Sequence, residues 1–109
     1  MTGSNKKKPI KILWIDDDEN VLDFCCRTLR AHGAEVHSAE SGMEGLQILM
    51  DNDMDVVVSD LEMVGLDGLE VAIKVNEMFS ESPRKKPAFV ILTAWVRDMS
   101  SEDMAEGCF

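Results

Sequence analysis

A chain of 109 residues with 45% apolar side chains can build one ordinary domain core. Its 21 acidic residues against 11 basic ones leave a formal charge of -10, a field that repels nucleic acid, so any DNA contact is expected from another domain. No apolar stretch approaches the roughly 20 residues of a membrane span, no signal-peptide pattern follows the basic N-terminus, and Cys25, Cys26 and Cys108 fit no metal spacing, so a reducing, cytoplasmic location is expected.

Met1 to Lys8 is polar and carries Lys6-Lys7-Lys8, which predicts a flexible leader over residues 1–9. Ile10 to Ile15 is almost wholly apolar and predicts a strand buried on both faces, closed by Asp16-Asp17-Asp18. Leu22, Cys25, Cys26 and Leu29 fall at i, i+3, i+4 and i+7, the apolar face of a helix that Asp18 would cap and Gly33 would end. On that face the two cysteines are packed small hydrophobes. A second strand is expected over Ala34 to Ser38. Ser41 with Glu44 then forms a capping box for a helix whose apolar face is Met43, Leu46, Leu49 and Met50.

After the break at Asp51-Asn52-Asp53, Asp55 to Ser59 predicts a third strand that delivers Asp60 to a loop loosened by Gly65 and Gly68. Leu69, Ala72 and Ile73 mark a third helix, with Asp67 and Gly68 at its start. Ser80 to Pro87, containing Arg84-Lys85-Lys86, reads as a solvated connection, and Ala88 to Thr93 as a fourth strand. A brief helix is expected near Ser101 to Ala105. Trp14 is expected in the core, and His32 and His37 at positions without a catalytic partner.

Strand and helix alternate, which predicts an α/β fold with a doubly wound, mostly parallel sheet. In the order 2-1-3-4-5 the switch point lies between the first and third strands, the two that end here in carboxylates. Like charges about 5 Å apart repel by roughly 1–3 kcal/mol, so several carboxylates on one sheet edge call for a cation. With no His or Cys nearby the site suits Mg²⁺, which takes one or two carboxylates plus a phosphate oxygen. A carboxylate beside such an ion can attack phosphorus and form an aspartyl phosphate, and Thr93 offers a hydroxyl to the transferred group.

Ile12-Leu13-Trp14-Ile15-Asp16-Asp17-Asp18, then Val57-Val58-Ser59-Asp60-Leu61-Glu62-Met63 with Gly65-Leu66-Asp67-Gly68, then Val90-Ile91-Leu92-Thr93-Ala94, resemble the receiver domain of two-component response regulators. The resemblance runs from about Ile10 to the C-terminus and implies a flavodoxin-like sheet with residues 10–109 as the receiver domain. It implies that Asp60 accepts a phosphoryl group from a sensor histidine kinase or phosphotransfer protein. Asp16 and Asp17 would hold Mg²⁺ together with Asp60 and the backbone carbonyl of Glu62. Thr93 would turn inward to the phosphoryl oxygen, with small Ala94 leaving room.

The chain departs from that pattern in three places. Val64 stands where the family usually has Pro. Glu62 and Trp95, each two residues past a key position, flank the approach to the phosphoryl group and are expected to slow attack by water. The end, Glu106-Gly107-Cys108-Phe109, resembles the segment before the family's fifth strand, so that strand, the last helix and the expected lysine would be absent, leaving an order of 2-1-3-4. An edge of that kind on the fourth strand predicts self-association. The leading function is thus a phosphorylation-dependent switch. A receiver-shaped binding module without phosphoryl turnover is the alternative. A haloacid dehalogenase-like phosphatase fits less well, because Asp16-Asp17-Asp18-Glu19-Asn20 puts Asn where that family's motif wants Thr or Val.

Overall fold

Strand and helix do alternate over residues 8–93, the part of the chain that the computed structural model describes. The order is β1 (Lys11–Ile15), α1 (Glu19–Ala31), β2 (Glu35–Ala39), α2 (Gly42–Asp51), β3 (Val56–Asp60), α3 (Gly68–Phe79) and β4 (Ala88–Leu92). The four strands form one sheet in the order β2-β1-β3-β4 with every pair parallel. This is the expected flavodoxin-like arrangement. The expectations for residues 1–7, Ala94, Trp95, the helix near Ser101 to Ala105 and the segment 106–109 lie outside the described residues.

Side chains alternate across each strand and feed two layers. Leu13 and Ile15 of β1 and Val57 of β3 pack with Leu46 and Leu49 of α2 and Val71, Val75 and Phe79 of α3. Trp14 and Val36 turn to the other face and meet Leu22, Cys26 and Leu29 of α1. Trp14 is half-buried, as a core residue at the rim of this smaller layer. Cys26 is buried and Cys25 half-buried on the same helix face, and burial raises both thiols above their ordinary range. Cys26 is a packing residue, as expected, and Cys25 lies half-buried beside it.

The helix termini follow local chemistry. The Asp18 carboxylate caps α1 by accepting from the N–H groups of Asn20 and Val21. Gly33 takes φ +96 just past its end, where the Ala34 N–H reaches back to the Leu29 carbonyl. Ser41 caps α2 through the Glu44 N–H, but the Glu44 carboxylate closes on the N–H of Glu40 rather than of Ser41. Asp67 and Glu70 form a complete reciprocal capping box on α3.

The apolar faces of α2 and α3 differ from the expected ones. Met43 is 57% exposed and Met50 65% exposed, whereas Gly42, Gly45, Leu46 and Leu49 face inward. The glycines decide this. A Cβ on Gly45 would collide with the Ile15 side chain, and one on Gly42 would lie 2.6 Å from Val71 Cγ2. With α2 seated glycine-side down, both methionines point outward. On α3, Leu69 and Ile73 are exposed, and Val71, Val75 and Phe79, at i, i+4 and i+8, make the buried stripe.

Arg84 also departs from the expected solvated connection: its guanidinium donates to the carbonyls of Leu49, Met50 and Asn52 and to the Asp53 carboxylate, and lies 5.0 Å from the centre of the Phe79 ring. It thereby collects the orphan carbonyls at the C-terminus of α2. Among the described residues no strand pairs with the outer edge of β4, and no helix is long and apolar enough to cross a membrane.

Candidate functional site

Parallel strands bring their C-terminal ends to one edge, and here those ends carry the acidic groups. Asp16 follows β1 and continues its ladder by donating its N–H to the Ala39 carbonyl at 3.0 Å. Asp60 ends β3 and pairs in register with Leu92 of β4. Thr93 follows directly, so β1, β3 and β4 each deliver one side chain to the same edge. Asp16, Asp17, Asp18, Val21, Asp60, Glu62, Leu92 and Thr93 line a single open cleft of about 490 Å³. The expected Asp16, Asp17, Asp60, Glu62 and Thr93 therefore border one space, and among the described residues none that lines it is basic.

Asp16, Asp17 and Asp60 each present a carboxylate oxygen within 4.8 Å of the others. Asp16 is only 6% exposed, Asp60 is half-buried and Asp17 is open to solvent. Burial raises the Asp60 carboxyl above its ordinary value, the neighbouring Asp16 charge adds to this, and the N–H groups of Glu62 and Leu61 pull it partly back. Burial likewise raises Asp16, against the N–H of Asp18, which donates to Asp16 Oδ1 at 2.9 Å. Two ionised carboxylates at this spacing resist each other. Asp18, used as the cap of α1, stands apart from the three-carboxylate group, as expected.

Two supports of the site were not visible in the sequence. Gly68 does not loosen the loop after Asp60; it lets that loop close. A Cβ on Gly68 would lie 2.6 Å from the Asp60 carbonyl oxygen and 2.9 Å from Leu61 Cα, both backbone atoms with little freedom to move. Its N–H donates to the Leu61 carbonyl at 2.8 Å, docking the start of α3 on the residue after Asp60. The second support is the Val64 N–H, which donates to Asp17 Oδ2 at 3.2 Å across a sequence separation of 47. No local pattern announces such a contact, although the paired strand ends made some contact between the two loops a reasonable expectation.

Oxygen donors alone, with negative charge in excess, fit a hard divalent cation. Comparison with known proteins places the fold in a family. A profile for the response regulator receiver domain matches residues 12–107. Response regulator MprA of Mycobacterium sp. (strain KMS) is 37% identical over 97 residues, covering 89% of this chain and 39% of the relative. Transcriptional regulatory protein GlrR of Escherichia coli (strain K12) is 37% identical over 89 residues, covering 80% of this chain and 18% of the relative. The chain thus spans well under half the length of these curated relatives. Among solved structures, response regulator protein TrrA from Thermotoga maritima in complex with Mg(2+)-BeF superimposes with a TM-score of 0.70 at 30% identity, covering 84% of this chain and 76% of that one. TrrA in complex with histidine kinase ThkA gives 0.69 at 31% identity over 79% and 70%. By profile and by fold alike, this chain belongs to the response regulator receiver domain family.

Proposed function

We propose that this domain is the phosphorylation-dependent switch of a cytoplasmic two-component relay, and that Asp60 takes a phosphoryl group from a histidine kinase or phosphotransfer protein. The observation that carries this reading is the convergence of Asp60 with two further carboxylates and Thr93 around one cleft. The solved complex of TrrA with a histidine kinase supports the class of partner. With a charge of -10 the domain contacts its partners without binding nucleic acid itself.

In the proposed step an Asp60 carboxylate oxygen attacks the phosphorus of a phosphohistidine. The new P–O bond forms as the P–N bond breaks, and the electron pair returns to the imidazole nitrogen. Asp60 must be ionised to attack, and the N–H groups of Leu61 and Glu62 favour that state against the effect of burial. Asp16, Asp17, Asp60 and the Glu62 carbonyl would hold Mg²⁺. Once bound, the ion supplies neutralising charge to the phosphoryl oxygens. The Thr93 hydroxyl donates to a phosphoryl oxygen and carries the change of state into β4, biasing a two-state equilibrium.

The test is intact-mass analysis after incubation with acetyl phosphate and Mg²⁺. Wild-type protein is expected to gain one phosphoryl group, with no gain in EDTA or in Asp60→Asn. An unlabelled wild type that stays folded overturns the proposal in favour of a receiver-shaped binding module.

A further inference from the structure

Each carboxylate of the site is met by backbone N–H groups, but not from the same source. Asp16 accepts from the Asp18 N–H at 2.9 Å, two residues on, and the backbone N–H groups that favour an ionised Asp60 are likewise those of the next two residues, Glu62 and Leu61. Such donors come with the local turn. Asp17 is different: its Oδ2 accepts from Val64, on the loop after β3, at 3.2 Å. That hydrogen bond ties the loop after β1 to the loop after β3.

We infer that the Val64 N–H is a positioning donor for the metal site, an inter-loop latch that holds the otherwise exposed Asp17 carboxylate toward Asp16 and Asp60. This inference rests on the reading of those carboxylates as Mg²⁺ ligands. Asp17 is open to solvent, and an unrestrained aspartate there would sample rotamers that carry its charge away from the two others. An N–H aimed at one oxygen opposes this in two ways: it fixes the rotamer, and it offsets part of the crowded negative charge. The second oxygen stays available to a cation. Groups that orient a ligand from outside its coordination sphere set much of a metal site's affinity.

The latch depends on residue 64 having an N–H, and only proline lacks one. The Val64 side chain, 88% exposed, contributes little to the fold, so its backbone is the part that acts. Gly65 follows with φ +86. The position before a positive-φ glycine is one that proline favours in type II turns, so Val64→Pro is expected to fold. Val64→Ala keeps the donor and removes only the exposed side chain.

The experiment measures the Mg²⁺ dissociation constant of the full chain by calorimetry, alongside amide hydrogen exchange at residue 64 in metal-free buffer. Val64→Pro is expected to weaken Mg²⁺ binding by roughly tenfold, near the low end for an outer-sphere donor, with Val64→Ala within about twofold of wild type. Exchange of the Val64 amide is expected to be slowed in metal-free wild type and to accelerate in Asp17→Ala. Equal exchange in wild type and Asp17→Ala overturns the latch, as does a Val64→Pro protein that binds Mg²⁺ like wild type. Equal losses in the Pro and Ala variants also overturn it, because the donor would then not matter. A wild type that takes up no Mg²⁺ overturns the metal reading itself and the positioning role with it, a result distinct from a wild type that binds while Val64→Pro matches it.

Discussion

Replacing Asp60 with asparagine is expected to make the metal-free protein more stable, against the usual effect of changing a residue in a packed site. Asparagine keeps the shape and one acceptor oxygen, while removing one of three charges whose oxygens lie within 4.8 Å of one another. At that distance two unit charges repel by about 0.9 kcal/mol at the dielectric of water and about 3.5 kcal/mol at an effective value of 20. Asp16 is buried and Asp17 exposed, so the Asp16 pair dominates, and a net gain of about 1–2 kcal/mol is expected after screening. That corresponds to roughly 5–15 °C in Tm for a domain of this size. The sign with pH follows from the direction of the shift. Between the ordinary value of 3.8 and the raised folded values of Asp60 and Asp16, the folded wild type holds more protons than the unfolded chain. Its stability therefore falls as pH rises through that window and levels off above it. The advantage of Asp60→Asn should accordingly be near zero below the window, open across it and stay constant at neutral pH. Urea unfolding in EDTA at about pH 3.5 and about pH 7.5 tests both the size and the sign. A variant no more stable than wild type at neutral pH, or an advantage unchanged by acidification, would refute the charge-crowding argument.

Arg84→Ala is expected to cost about 2–3 kcal/mol in urea unfolding, since charged hydrogen bonds to the end of α2 are lost together with the contact on Phe79. Arg84→Lys should recover less than half of that, because one ammonium cannot reproduce the planar fork. Glu62→Ala, which removes a negative side chain from the rim of the cleft, is expected to shorten the lifetime of the Asp60 phosphoryl group several-fold when loss of label is followed by intact mass; an unchanged lifetime removes Glu62 from that role. The outer edge of β4, without a partner strand among the described residues, predicts concentration-dependent self-association in sedimentation velocity, weakened by Leu92→Lys; a sedimentation coefficient independent of concentration counts against it.

The sheet was legible because a buried parallel strand is nearly all apolar, and Ile12 to Ile15 and Val56 to Val58 can be little else. The carboxylates were legible for a related reason: Asp16 and Asp60 end those runs abruptly, and parallel topology sends both ends to one edge. The helix faces were harder. On α3 both Leu69 with Ile73 and Val71 with Val75 and Phe79 recur at helical spacing, and hydrophobicity alone does not choose between two stripes. On α2 the choice was made by Gly42 and Gly45, which carry no hydrophobic signal and act by allowing close approach. Arg84 and Val64 were illegible for a third reason. Each acts through backbone groups or on backbone groups far away in sequence, at separations of 31 to 35 residues for Arg84 and 47 for Val64, which no local pattern encodes.

The register of β3 against β4 also limits how far a chemical event at Asp60 has to travel. Asp60 sits opposite Leu92, the Leu61 N–H donates to the Leu92 carbonyl at 2.7 Å, and Thr93 is the next residue along. Acceptor and responding hydroxyl are therefore adjacent rungs of one ladder, and under the proposed chemistry the message needs no relay through the core. It leaves by β4, an edge strand of the described sheet that lies directly beside the strand carrying Asp60.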